Sequence, residues 1–130
     1  MARVLLVEDD PNIIQSYKME LELSGHEIIP APDGESGLET AKSQNFDLIL
    51  LDLSLPKMNG IEVLKELKKD EKTKDVPVIV MSNFATDENV KIVLHLGAKD
   101  FVPKYQFTPQ ETAQKIKQIL SPEPSMIESQ

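Results

Sequence analysis

Asp52 closes the apolar run Leu48-Ile49-Leu50-Leu51, and Glu8-Asp9-Asp10 closes a second run, Val4-Leu5-Leu6-Val7. If both runs are buried strands, carboxylates from two strands collect at one edge of a sheet. Such charge is costly unless a cation, or a phosphoryl group with its counter-ions, belongs there. Ser82 ends the run Val76–Met81, and Lys104 lies just beyond Asp100-Phe101-Val102, so a hydroxyl and an ammonium reach the same edge. Each type has a use. Carboxylate oxygens are hard ligands suited to Mg²⁺, which keeps several waters and bridges to phosphate oxygens. A carboxylate can also be the nucleophile that forms an acyl phosphate. Phosphoryl transfer needs mainly positioning and charge neutralisation, which a divalent ion and a lysine supply.

The elements that must position these groups follow from the pattern. Apolar runs at Val4–Val7, Glu27–Pro30, Leu48–Leu51, Val76–Met81 and Asp100–Val102 alternate with segments of helical spacing. That alternation predicts repeated βα units, and hence a mostly parallel sheet with helices on both faces. Ligands of such sheets collect outside the carboxyl ends of the strands. Asp10-Pro11 caps a first helix running to about Leu23 and stopped by Gly25. Asp33-Gly34 makes a turn before Glu35–Ser43, and Asn59-Gly60 precedes Ile61–Lys69. Thr86 or Asp87 is placed to cap a fourth helix ending near Leu96, with Gly97 as its stop. Thr108-Pro109-Gln110-Glu111 is a capping box that opens a fifth helix to about Leu120, with Ile116, Ile119 and Leu120 on its apolar face.

At 130 residues, with 40% apolar and 28% charged residues, the chain suits one globular domain. Residues 1–120 are expected to form it, with 121–130, holding two prolines and three serines, as a flexible tail or the start of a linker. Cysteine is absent, which rules out disulfides and thiolate metal sites. A net charge of −8 argues against this chain alone gripping nucleic acid. No run has signal-peptide shape or membrane-spanning length, so a cytoplasmic location without membrane contact is expected.

Four stretches together resemble the receiver domain of two-component response regulators, of the chemotaxis-regulator type: Leu5-Leu6-Val7-Glu8-Asp9-Asp10, Asp52 through Gly60, Val80-Met81-Ser82, and Gly97 through Lys104. The resemblance runs from about Ala2 to Leu120. It implies a doubly wound, flavodoxin-like α/β sandwich with a five-stranded sheet of order 2-1-3-4-5. It further implies that Asp52 accepts a phosphoryl group, and that Glu8, Asp9, Asp52 and the carbonyl of Ser54 hold Mg²⁺. Ser82 and Lys104 then contact the phosphoryl oxygens, and Phe101 is the aromatic that swings inward on activation. The implied donor is a sensor histidine kinase or histidine phosphotransfer protein. The implied output is a protein target docked on the fourth helix, fifth strand and fifth helix.

The chain departs from the family pattern in places. Lys104 is followed by Tyr105 where a proline is usual, and a cis bond at a non-proline residue costs roughly 2.5–4 kcal/mol, so a trans bond is expected. Gln106 reads as one extra residue. Asn83 replaces a small residue on the approach to Asp52, and Ser54 and Phe84 stand at variable positions tied to phosphoryl lifetime, where a bulky Phe84 would shield an acyl phosphate. Plainer roles compete for several residues: Asp10 as a helix cap, Phe101 as core filler, His26 and His95 as surface or helix-end residues. In the fourth helix Val90, Val93 and Leu94 read as an inward stripe, widened by Ile92 and Leu96, which leaves room for a docking surface. Three rival classes share parts of the pattern. An aspartyl phosphatase would want a second aspartate where Ser54 stands, and a flavin carrier's phosphate would be repelled by Glu8-Asp9-Asp10. A DNA-binding regulator of which this is only the receiver part stays open.

Overall fold

In the computed structural model, residues 2–55, 58–83, 86–104 and 106–120 are described. The expectations for Phe84, for the Lys104–Tyr105 bond and for residues 121–130 fall outside them. Ten elements alternate: β1 (Arg3–Val7), α1 (Pro11–Leu23), β2 (Glu27–Ala31), α2 (Gly34–Ser43), β3 (Leu48–Asp52), α3 (Gly60–Lys69), β4 (Val78–Ser82), α4 (Asp87–His95), β5 (Asp100–Pro103) and α5 (Pro109–Leu120). The strands pair in parallel in the order β2-β1-β3-β4-β5, as the resemblance implied. Pro30 is tolerated because β2 is an edge strand, where a missing ladder donor matters least.

Successive side chains of a strand point to opposite faces, and here both faces are covered. Leu5, Val7, Ile49, Leu51, Val78 and Val80 pack with Leu64 and Leu67 of α3 and Val93 of α4. Val4, Leu6, Leu48, Leu50, Ile79 and Met81 pack with Tyr17 and Leu21 of α1 and Ile116 of α5. The unbroken apolar runs of β1, β3 and β4 are therefore two interleaved half-cores. The helices that follow begin where their caps say. Asp10, Asp33, Asn59 and Thr86 each accept a backbone N–H from the first turn. Thr108 and Glu111 bond each other reciprocally, side chain to backbone N–H, at 2.9 and 3.1 Å. Gly25 and Gly97 stop α1 and α4 with φ of 91° and 109°, a region other residues enter at a cost.

Three local expectations are corrected. Asp33 caps α2 directly, so Gly34 belongs to the helix and not to a preceding turn. β4 starts at Val78, because the Val76 N–H is taken by Thr73 in a turn. Leu94 is not part of the inward stripe of α4: it is 46% exposed, beside the exposed Ile92, while Val90, Val93 and Leu96 pack inward. Helical pitch alone would admit Leu94, four residues after Val90, to that stripe; the way α4 docks leaves it on the solvent side.

Candidate functional site

Strand register brings the separated residues to one edge. Val7 lies opposite Leu51, so Glu8, next in the chain, comes level with Asp52. Asp52 lies opposite Met81, and Ser82 opposite Pro103. The ladder continues one step further, with the Lys104 N–H donating to the Ser82 carbonyl at 2.9 Å. Period-two alternation then sends Glu8, Asp52 and Lys104 toward the α1/α5 side, following Leu6, Leu50 and Val102, and Ser82 toward the α3/α4 side, following Val80.

At the centre, Lys104 Nζ stands 2.8 Å from Glu8 Oε1 and 3.0 Å from Asp52 Oδ2. Glu8, Asp52 and Ser82 are buried, and only 9% of the Lys104 side chain is exposed. The other oxygens are held by backbone: Glu8 Oε2 accepts from the Asp10 N–H at 3.1 Å, and Asp52 Oδ1 from the Ser54 N–H at 3.2 Å. Glu8 Oε1 is different. It is buried 2.8 Å from the ammonium, and no other donor among the described residues reaches it.

Charge follows from burial. Loss of water pushes the Glu8 carboxyl above the ordinary value of 4.5; Lys104 opposes that rise and the Asp52 charge adds to it. Burial pulls the Lys104 ammonium down, but its pairing with Glu8 and Asp52 outweighs this and leaves it above 10.5. The lysine therefore stays charged at neutral pH between two buried carboxylates.

Glu8, Asp9 and Asp52 each offer a carboxylate oxygen within 4.8 Å of one another. With Asp9 exposed and Glu8 Oε1 short of a donor, this set fits a hard divalent cation that enters from solvent. Beside it opens a recess of ≈ 240 Å³ bounded by Leu53, Ser54, Asn59, Glu62, Ser82 and Asn89. A larger groove of ≈ 770 Å³ lies between α1 and α5, past Glu20 and Lys117, apart from the carboxylates.

Comparison with known proteins agrees with this geometry. Residues 4–117 match the response regulator receiver domain. The chain belongs to the receiver family. The alkaline phosphatase synthesis transcriptional regulatory protein PhoP of Bacillus subtilis is 38% identical over 120 residues, which cover 91% of this receiver and 48% of PhoP. The receiver thus spans about half the length of the curated relatives it matches. Among solved structures, chemotaxis protein CheY4 of Vibrio cholerae aligns with a TM-score of 0.85 at 28% identity, covering 92% of this receiver and 98% of CheY4. The Mn²⁺-bound form of response regulator Rcp1 aligns with a TM-score of 0.82 at 28% identity, covering 95% and 97% of the two chains.

Glu8, Asp9, Asp52, Ser54, Ser82 and Lys104 lie at or beside this edge, and Phe101 lies deeper in β5. Asp10 acts as a cap, its Oδ1 accepting from the Asn12 N–H at 2.8 Å. Phe101 is buried on the same face as Ser82, level with Val80 in the neighbouring strand. A further contributor has no side chain. Gly60 opens α3 directly beneath the Asp52–Leu53 peptide, donating its N–H to the Leu53 carbonyl at 2.9 Å, and a Cβ there would collide with Asp52 O and Leu53 Cα. The signal was present: an Asn-Gly pair at a helix start eight residues after the aspartate. Asn59 caps the helix, and Gly60 lets it approach.

Proposed function

We propose that this receiver accepts a phosphoryl group from a phosphohistidine of a sensor kinase or phosphotransfer protein onto Asp52, and so acts as a signalling switch. The observation that carries the reading is the buried Asp52 carboxylate, held by Lys104 at 3.0 Å within a cluster of three carboxylates. In the transfer, an Asp52 oxygen forms a bond to phosphorus, the bond from phosphorus to the donor imidazole nitrogen breaks, and that nitrogen takes a proton. Lys104 balances charge on the incoming oxygens, and the Ser82 hydroxyl lies at the edge to hydrogen-bond one of them. Glu8, Asp9, Asp52 and the Ser54 carbonyl would hold Mg²⁺, which supplies neutralisation of the phosphoryl charge; the Mn²⁺-bound Rcp1 supports a divalent ion in such a fold. The receiver acts on itself, adding and losing its own phosphoryl group, which fits the cytoplasmic site of action expected for the family.

Output follows from charge redistribution. Lys104 and Ser82 each meet a different charge at Asp52 before and after transfer, so phosphorylation stabilises one arrangement of the β4–α4 and β5–α5 segments over another. Phe101, on the face of Ser82, is placed to move with it. A protein target on the α4-β5-α5 face is favoured by the exposed Ile92 and Leu94 of α4. A second reading rests on length: relatives such as PhoP are about twice as long and are named as transcriptional regulators, which favours this receiver as the input part of such a protein. Intact-mass measurement with acetyl phosphate tests the main reading. A phosphoryl adduct should form with Mg²⁺, and neither without it nor in Asp52→Asn; equal labelling of Asp52→Asn would overturn it.

A further inference from the structure

Among the described residues, two polar fastenings join the first βα unit to the last. One is ionic and lies in the site, from Lys104 to Glu8, with Asp52 of β3 on the same ammonium. The second lies deeper, where the Tyr17 hydroxyl of α1 meets Thr112 Oγ1 of α5 at 3.3 Å, both side chains being buried. Its direction can be deduced. Thr112 has one hydroxyl proton, and it is donated to the Thr108 carbonyl at 3.1 Å. Tyr17 is therefore the donor to Thr112. The same Thr108 carbonyl accepts the Thr112 N–H at 3.0 Å, and the Thr108 N–H is held by Glu111. The Tyr17 proton thus heads a chain that ends on the residue opening α5, four positions after Lys104.

The other end of that short connection is also tied. Lys104 N–H donates to Ser82, and the Phe107 N–H donates back to the Pro103 carbonyl at 3.2 Å. With both ends held, the path from Pro103 to Thr108 sets where the ammonium arrives. We propose that Tyr17 is a positioning residue for Lys104: by holding the first turn of α5 against α1, it seats the ammonium between Glu8 and Asp52. Burial pushes the Tyr17 hydroxyl upward from 10.0, so the donated proton stays in place at neutral pH. Neither Tyr17 nor Thr112 touches the reacting atoms; both act through the β5–α5 connection.

The inference rests on the reading of Glu8, Asp9 and Asp52 as a cation site, but not on phosphoryl transfer, and its test uses no phosphodonor. The first readout is amide exchange in the metal-free protein. Tyr17→Phe and Thr112→Val should speed exchange at Lys104 and Phe107 relative to β1 by about two- to tenfold, the span of one net hydrogen bond. Thr112→Ser, which keeps the hydroxyl, should behave as wild type. The second readout is Mg²⁺ affinity by calorimetry, in a double-mutant cycle with Lys104→Met. A loosened ammonium competes less for the carboxylates, so Tyr17→Phe should bind Mg²⁺ about two- to tenfold more tightly, and this gain should vanish without Lys104. Unchanged exchange at Lys104, exchange raised equally across α1, α5 and β1, or the same Mg²⁺ gain with and without Lys104 would each overturn the proposal. Absence of Mg²⁺ binding in every variant would instead remove the cation reading, leaving the exchange data to judge Tyr17.

Discussion

Replacing Lys104 by methionine keeps the length of the side chain and removes the ammonium that pairs with two buried carboxylates. Glu8 Oε1 and Asp52 Oδ2 lie 2.8 and 3.0 Å from that ammonium. Removing one partner of a buried ion pair costs about 3–5 kcal/mol. Part of that cost is recovered, because Glu8 already sits above the ordinary carboxylate range and can take up a proton. A net loss of about 2–3 kcal/mol is expected, near the lower end of the ion-pair range. For a chain of this size it corresponds to a fall in melting temperature of roughly 8–12 °C. The sign of the pH dependence follows. In wild type the folded state already binds the Glu8 proton more tightly than the unfolded state does, so stability falls as pH rises from 4.5 through the raised folded value. Lys104 holds that value down, so its loss raises it further, and the deficit should grow above wild type's folded value, where only the variant still loses stability. Added Mg²⁺ replaces the missing charge; at about 100 times its Kd an ion stabilises by about 2.7 kcal/mol. Scanning calorimetry in EDTA and in Mg²⁺ reads both effects. The deficit should be large in EDTA and shrink in Mg²⁺. A Lys104→Met protein as stable as wild type in EDTA, or a deficit that Mg²⁺ leaves unchanged, would refute the reasoning.

Gly60→Ala pushes a methyl group into the Asp52–Leu53 backbone and strains the Gly60–Leu53 hydrogen bond, so urea midpoints should report a loss of about 1–3 kcal/mol together with slower labelling of Asp52. A neutral substitution would show that α3 can withdraw without disturbing the site. Asp10→Ala removes the cap on Asn12 and should cost about 1 kcal/mol by the same assay while leaving Mg²⁺ affinity unchanged; weakened Mg²⁺ binding would make Asp10 a ligand. Tyr17 and Lys104 both hold their protons more tightly when folded, so their stabilising contribution is full below pH 10.0 and is lost as pH rises through their folded values. Urea midpoints should fall in that alkaline window, and less steeply in Tyr17→Phe; midpoints that rise there would contradict the assignment.

What the sequence disclosed, and what it withheld, has a physical pattern. Strands buried on both faces read as unbroken apolar runs, and their carboxyl ends were marked by Glu8, Asp52, Ser82 and Lys104, so topology alone gathered the site. Caps were legible for a local reason: Asp10, Thr86 and Thr108 bond backbone within their own first turns. Leu94 was misplaced because a short helix rich in Val, Ile and Leu offers two plausible apolar stripes, and packing against β4 and β5 chooses one. Gly60 was half legible: the Asn-Gly pair marks a helix start, but how closely α3 approaches the Asp52–Leu53 peptide is set by docking. The Tyr17–Thr112 bond joins residues 95 apart in sequence, and only the docking of α1 on α5 makes them neighbours.

The central claim is chemical, that Asp52 becomes an acyl phosphate. Borohydride reduces an acyl phosphate to the alcohol, which would leave homoserine at position 52. The direct measurement is therefore peptide mapping after acetyl phosphate and borohydride, with Mg²⁺ or with EDTA. The account predicts homoserine at position 52 in the Mg²⁺ sample alone. Modification at another carboxylate, or at position 52 irrespective of Mg²⁺, would contradict it.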